Sequence, residues 1–416
     1  MSREALATES IAEMVERLCP HGVEFLPLGA IGEFKRGKGV KKDQLGDQGR
    51  PVIHYGQIYT TYGVWTDYTA SFIDESQISR PVKAKHGDLL ITISDVTPTN
   101  VGKTTAWLGN NEVIVGGDLL VFSHTQDPKY LSYVFESSIW QAQKLSRVTG
   151  GTVRHLSTRT LSTIEIPVPP LDVQRKIART LDQFVILDQV LQAEIEGREK
   201  QFRELRDSRL ELTGVQEIAL SNVASTVVGL KGKTKSDFGI GSGHFVTYTN
   251  VFNNPSLNLN DVGKVSVQPE ENQNQLHCGD VLITGSSESP DEVGMSSVIR
   301  TEIGFPLYLN SFCFAVRFNQ GVDIDAGFTT HLFRSHRIRK QIEKTANGVT
   351  RFNISKPRFM KIQIPLPPLE TQRRIARDLD SFNDYIENLK REKELRQKQY
   401  EGLREQLLSF PKKESA

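Results

Sequence analysis

Val101-Gly102-Lys103-Thr104-Thr105 has the residue types of a phosphate cradle, in which backbone donors, a cation and a hydroxyl surround an anion. A complete phosphate loop needs a second glycine five residues ahead of Gly102. That position is Thr97, and Pro98 removes a backbone donor from the cradle. A turn between strands is the expected structure. Phe238–Gly243, FGIGSG, has glycines like a dinucleotide fingerprint but no strand before it or helix after it, so a mobile loop is expected. His277 and Cys278 form the one adjacent His/Cys pair. Cys19, Cys278 and Cys313 are too scattered for a zinc set or a disulfide framework, so no metal is expected. Asp88, Asp95, Asp118 and Asp280 come without the lysine of a nuclease-like cluster. Asp88 and Asp280 each follow a glycine and read as turns opening into strands. No serine sits in a nucleophile elbow and no histidine pair has zincin spacing. No catalytic centre is expected.

Surfaces are the remaining candidates. Lys35, Arg36, Lys38, Lys41 and Lys42 crowd one glycine-interleaved stretch, and Lys231, Lys233 and Lys235 stand at a corresponding place later on. Flexible basic loops suit phosphates, which supply most nucleic-acid affinity. Beside them lie polar-aromatic stretches able to read base edges: Tyr55, Gln57, Tyr59 and Tyr62, then Tyr248, Asn250, Asn253 and Asn254. Amides suit adenine and arginine suits guanine. The loops RVTGGTVRH (147–155) and KTANGVTRFN (344–353) add Arg147, Arg154, His155, Arg351 and Asn353. These residues are the expected DNA contacts.

The elements that must position them come in duplicate. IPVPPLDVQRKIARTLDQF begins at Ile166, and IPLPPLETQRRIARDLDSF begins at Ile364. GDLLIT from Gly87 answers GDVLIT from Gly279. Ile53, Tyr55 and Ile58 answer Val246, Tyr248 and Val251, and Gly151…Arg154 answers Gly348…Arg351. A repeat at this period marks two copies of one unit of about 200 residues. The double prolines end whatever precedes them and preset a helix, and no further proline occurs over 171–212 or up to 410 in the second copy.

Leu181, Phe184, Leu191, Ile195, Phe202, Leu205 and Leu212 recur at spacings of three and four. So do Leu379, Phe382, Ile386, Leu389, Tyr400, Leu403, Leu407 and Phe410. That is a coiled-coil seam on two helices, each roughly 60 Å long. Asp188, Arg198, Lys393 and Arg396 interrupt the seam, either as register-setting polar positions or as solvated ones. The front parts hold short apolar runs, PVIHYGQIYT, GDLLITIS, VIVGGDLLVF and FCFAVRF, broken by turn residues. Each closes on a helical stretch, YLSYVFESSIWQAQKLS or FTTHLFRSHRIRKQIEK.

The expected division is an N-terminal helix over 1–22, an α+β domain over 23–165, a proline-capped spacer helix over 166–212, a second domain over 213–363, and a second spacer helix with tail over 364–416. The 51 basic and 50 acidic residues leave a net charge of +1, which excludes no partner class. No apolar run is long enough for a membrane helix, and MSREALATESIAEMVERL is charged where a signal peptide is apolar. A cytoplasmic location is expected.

The doubled I-P-x-P-P-L-x-x-Q-R-x-I-A, each copy opening a long helix after a strand-rich domain, resembles the DNA-specificity subunit of Type I restriction–modification systems over essentially the whole chain. The resemblance implies two similar mixed α/β target-recognition domains separated by two long antiparallel helices in a coiled coil, with an internal pseudo-twofold repeat. Each domain would read half of a bipartite, asymmetric double-stranded DNA target, with the helices as a ruler between them. It implies no catalysis and no cofactor on this chain. Two methyltransferase subunits would bring S-adenosylmethionine, and restriction subunits would bring ATP and Mg. The long helices would be where the methyltransferases dock, with Gln174, Arg175, Ile177, Phe184, Gln372, Arg373, Ile375 and Phe382 as interface residues. A bacterial or archaeal cytoplasm follows. An orphan methyltransferase, another defence assembly or a coiled-coil scaffold binding proteins remain as alternatives.

Overall fold

The computed structural model describes residues 9–413, so the first eight residues of the expected N-terminal helix lie outside the described residues. The chain divides into two compact units, Met1–Val190 with Lys393–Ala416, and Leu191–Glu392.

In the first unit the short helix α1 (Ile11–Leu18) starts on a reciprocal cap: the Glu13 N–H donates to Ser10 Oγ and the Ser10 N–H to Glu13 Oε2. A five-stranded sheet runs in the order Gly32–Arg36, Leu119–His124, Leu89–Thr92, Thr104–Trp107, Trp65–Thr66. A four-stranded sheet runs Ser71–Ile73, Arg50–Ile53, Val113–Val115, Lys83–Ala84. Three helices follow the strands in space: α2 (Tyr55–Thr60), α3 (Pro128–Val134) and α4 (Ser138–Leu145). The antiparallel ladder Phe25–Pro27 with Glu165–Pro167 then hands the chain to the long helix α5 (Leu171–Leu210). The Val23 N–H donates to the Pro411 carbonyl and the Lys413 N–H to the Val23 carbonyl, so a segment from near each end closes this unit.

The second unit repeats the plan. Ala224–Val228, Cys313–Phe318, Val281–Thr284 and Ser296–Val298 form one sheet, and Val262–Val265, Phe238–Val246 and Leu307–Leu309 a second. Its helices include α6 (Tyr248–Asn253), α7 (Ala326–Leu332) and α8 (His336–Glu343). The ladder Glu217–Ala219 with Gln363–Pro365 leads into α9 (Leu369–Leu408).

Each unit contains half of each long helix, and the halves pack antiparallel. In the first unit the Phe184 and Tyr400 rings lie 6.5 Å apart and Asp188 pairs with Lys393 at 3.5 Å. In the second, Leu191 and Ile195 pack on Leu389, Phe202 stacks on Phe382, and Arg209 reaches Asp378 at 3.6 Å. The seam residues Leu181, Leu191, Ile195, Leu379, Ile386, Leu389 and Tyr400 are buried. Of the polar interruptions, Asp188 and Lys393 pair with each other, and Arg198 lies over the Tyr385 ring beside Glu194.

Val173, Ile177 and Leu181 of α5 sit in one core with Tyr130, Tyr133, Phe135 and Trp140, and Ile375 and Leu379 of α9 pack with Phe314, Phe328, Phe333 and Phe359 in another. Fully burying a side chain of this size contributes about 1.5–3 kcal/mol. A continuous apolar connection therefore runs from the α/β part of each unit into its long helix.

Four details differ from the sequence reading. PVIHYGQIYT is a strand only to Ile53. His54 then caps α2, its Nδ1 accepting from the Gly56 N–H, because a short apolar run does not distinguish strand from helix. FGIGSG is a bulged strand rather than a loop. Gly239 and Gly241 (φ +85° and +90°) absorb a register shift against Val262–Val265. Strand pairing places His155 on Ser94 and Asn353 on Ser286, so Gly150, not Gly151, is the counterpart of Gly348. Both of these glycines have positive φ and press on the backbone three residues on. The long helices stop at Leu210 and Leu408, two residues short of the expected ends.

Candidate nucleic-acid interface

The VGKTT stretch is a turn. Gly102 (φ +78°) lies against Lys144, where a Cβ would come within 2.9 Å of its Cδ, and the matching Gly294 lies against Ile342. The glycine serves that close approach rather than a phosphate. Asp88 accepts from the Lys85 N–H, and Asp280 accepts from the His277 N–H and pairs with Arg317, as strand-opening turns require. Among the described residues no three His, Cys, Asp or Glu side chains converge as a metal-ligand set.

In the first unit α2 lies beside some of the expected DNA contacts. The basic segment leaves the strand Gly32–Arg36 at Gly37, where a Cβ would sit 2.0 Å from the Gly116 carbonyl oxygen. Lys35, Arg36, Lys38, Lys41 and Lys42 are all exposed, and Lys42 lies near enough to His54, the α2 cap, to oppose its protonation. Burial does most to lower that histidine's pKa. Lys103 stands 6.0 Å from the Tyr59 ring, and the pairs Arg154–Asp95 and His155–Ser94 bring the 147–155 loop to the same turn. His155 is exposed and Arg154 half-buried, donating to the Gly150 carbonyl. Arg147 donates to the Gln143 carbonyl at the end of α4. Lys144, unnoticed in the sequence, is buried and donates to the Thr99 carbonyl at 2.8 Å, pinning this turn. Burial pulls its pKa down to about 8.

In the second unit Ser286 is the meeting point. Its carbonyl accepts from Tyr248 of α6 at 2.8 Å, and its hydroxyl lies 3.1 Å from the Arg351 guanidinium. Asn353, paired with it across the ladder, is exposed, as is Asn253. Val349, at the tip of this loop, is 89% exposed. Lys231 and Lys235 are exposed too, after a second close glycine, Gly229, against the Asn310 carbonyl.

Several expected contacts are instead spent inside the protein. Lys233 is held by Glu271 at 2.5 Å with its side chain 6% exposed. Asn250 is buried, donating to the Asn258 and Asp261 carbonyls, and it also accepts from Asn254. Gln57 accepts from the His54 N–H and donates to Ser71, and the buried Tyr62 hydroxyl accepts from the Ala70 N–H. Half-buried Tyr59 keeps its ring beside Lys103, and burial raises its pKa to about 12.

The residues expected to meet partner subunits also divide. Gln174 and Gln372 are fully buried. The Gln174 Oε1 accepts from the Asp127 N–H at 2.9 Å while its Nε2 donates to the Pro169 carbonyl, and Gln372 makes the same two bonds with the Asp325 N–H and the Pro367 carbonyl. Ile177 and Ile375 are core. Phe184 and Phe382 are half-buried between the helices, and Arg175 and Arg373 remain exposed. The repeated motif is thus a clamp fastening each long helix to its own domain. Exposed apolar side chains lie elsewhere on α5, at Ile186, Leu187 and Val190.

The same helices carry a second clamp. Asp182 receives the Trp65 Nε1–H, the Tyr133 hydroxyl and Lys129, and Asp380 receives both Arg300 nitrogens and His331. Burial pushes the Asp380 carboxyl up, but the His331 and Arg300 hydrogen bonds outweigh it and leave the pKa at about 2, below the ordinary 3.8. A carboxylate whose folded pKa is depressed stabilises the fold above its unfolded pKa and loses that contribution as pH falls through the folded value. Wild-type stability is therefore expected to fall between about pH 4 and pH 2 by more than that of Asp380→Asn, in urea midpoints measured across that range. Parallel curves for the two proteins would remove Asp380 as a source.

Residues 20–197 and 231–397 match the family model for the Type I restriction modification DNA specificity domain. The chain is 28% identical over 419 residues to the Type I restriction enzyme EcoR124I/EcoR124II specificity subunit of Escherichia coli, covering 94% of this chain and 96% of that one. It is 25% identical over 414 residues to the MjaVIII specificity subunit of Methanocaldococcus jannaschii, covering 93% and 92%. A solved structure concerned with complex assembly and conformational transition of the type I R-M system superposes with a TM-score of 0.63 at 17% identity, over 93% of this chain and 96% of that one. The Type I S subunit of M. genitalium superposes with a TM-score of 0.50 at 13% identity, over the same shares.

Proposed function

Because the chain belongs to the Type I restriction modification DNA specificity family, we propose that it is the sequence-reading subunit of a methyltransferase assembly, each unit reading one half of a bipartite double-stranded DNA target. One observation carries this reading. In both units, segments far apart in sequence converge on one short strand, at Ser94 or Ser286, and present exposed polar and cationic side chains that differ between the copies. One scaffold offering two chemistries suits two different half-sites.

The subunit positions partners rather than performing chemistry. Two methyltransferase subunits carry S-adenosylmethionine, and restriction subunits carry ATP and Mg. The exposed Ile186, Leu187 and Val190 with Arg175 and Arg373 are the surfaces offered to the methyltransferases.

The test uses the chain with its methyltransferase partner and reads the methylated motif from native DNA. Arg351→Ala with Asn353→Ala is expected to relax one half of the motif only. Arg154→Ala with His155→Ala is expected to relax the other half only, each lost base contact costing about 1–3 kcal/mol. If both double variants degraded the same half, or neither changed the motif, the two-reader assignment would fail.

A further inference from the structure

The two units differ sharply at one equivalent place. In the first, Glu136 follows α3 and accepts from the Tyr400 hydroxyl at 3.2 Å and from Arg404 at 3.4 Å. The equivalents in the second unit are fixed by matching caps: Glu405 accepts from the Ser138 N–H, and Asp207 from the His336 N–H. Arg206 therefore stands for Arg404, Phe202 for Tyr400 and Arg334 for Glu136. An acid–base pair has become a pair of guanidinium groups.

Both arginines are largely out of water, and neither is neutralised in the way its counterpart is. Among the described residues Arg334 Nε and Nη2 donate only to the Ser296, Val251 and Phe252 carbonyls, and no hydrogen bond uses Nη1. Among the described residues the buried Arg206 Nε makes no hydrogen bond. It stands 3.7 Å from the Asp207 carboxylate, which is already engaged with the α8 cap. Burial is the largest cause of the fall in the Arg334 pKa to about 10, and the charges of Arg339 and Arg206 add to it. Two like charges in a low-dielectric setting repel, and a buried donor left unmade is costly.

Both side chains line a cavity of about 450 Å³ wholly within the second unit. Arg300 and Lys390 also line it, as do two carboxylates, Asp380 and Glu387. Those acids are already paired, Asp380 with Arg300 and His331, and Glu387 with Lys390. The polar volume exceeds what a phosphate needs, and guanidinium forks match the oxygens of a tetrahedral anion.

We propose that this cavity is a binding site for a phosphate-type oxyanion, free or as the terminal group of a small phosphate ester, held between Arg206 and Arg334. The anion supplies the negative charge that Glu136 supplies in the first unit. Asn253 and Asn254, two of the expected DNA contacts, also line the cavity, and binding here needs neither DNA nor partner subunits to be measured.

The test is thermal unfolding of the full chain in inorganic phosphate, or in ADP, at millimolar concentration, against chloride of equal ionic strength, with a calorimetric titration of the same protein. Wild type is expected to show a saturable rise in Tm of about 2–4 °C and one binding event per chain. Arg206→Gln and Arg334→Glu are expected to abolish the rise, the second by rebuilding the acid–base pair of the first unit. Equal shifts with both ligands identify a free anion as occupant, and a larger shift with ADP identifies an ester; either supports the site. No calorimetric binding to wild type, or a phosphate shift as large in Arg206→Gln as in wild type, overturns it whether or not Arg334→Glu folds.

Discussion

Gln174→Leu is expected to destabilise the first unit by about 2–4 kcal/mol, because an apolar side chain of comparable volume strands the Asp127 N–H and the Pro169 carbonyl in a dry interior. Leucine preserves the packing volume, so the loss isolates the hydrogen bonds rather than a cavity. All three tryptophans, Trp65, Trp107 and Trp140, lie in this unit, which makes their fluorescence a local reporter of unfolding in urea. Gln372→Leu removes the matching bonds to the Asp325 N–H and the Pro367 carbonyl and is expected to lower stability by a similar amount, followed by circular dichroism. A change below about 0.5 kcal/mol in both variants, the ordinary size for a surface substitution, would mean that the repeated motif is not the clamp described above.

Removing the cations of the first basic segment together, in Lys35→Ala, Lys38→Ala, Lys41→Ala and Lys42→Ala, is expected to weaken duplex binding about 10³-fold near 0.1 M salt and to reduce the log–log salt slope by about three to four. Each lysine is exposed, so the folded stability is expected to stay within about 0.5 kcal/mol of wild type. Lys233→Ala is the contrasting control. That lysine is committed to Glu271, so its loss is expected to leave the slope nearly unchanged. Fluorescence anisotropy across a salt series, with the methyltransferase partner present, reads both variants. An unaltered slope in the quadruple variant would take the 35–42 segment out of the DNA contact.

Much of the architecture was legible in the residues alone, and for local reasons. Pro169-Pro170 and Pro367-Pro368 dictate where the long helices begin, since proline stops the preceding strand and presets the first turn. Leucine, isoleucine and aromatic residues at spacings of three and four dictate which faces of those helices are covered. The doubled GD turns record a backbone requirement of a single residue, and Gly87 and Gly279 both have positive φ. The repeat itself needs no coordinates.

What the tertiary structure decided is which polar side chains are still available. Gln57, Asn250 and Lys233 read as DNA contacts because amides and cations suit bases and phosphates, while Gln174 and Gln372 were expected at a partner interface. Each is consumed by a partner that no local pattern announces: Ser71, Asp261, Glu271, Asp127 and Asp325 respectively. A hydrogen bond forms where the fold places donor and acceptor within about 3 Å, and that placement is settled by packing far from either residue. The same is true of the substitution of Arg334 for Glu136. In sequence it is one unremarkable charge change between repeats; in the folded unit it sets two buried guanidinium groups facing a cavity. The sequence by itself determined that the chain is two copies of one α/β domain, each followed by a long helix. The fold determined which polar residues of each copy stay exposed.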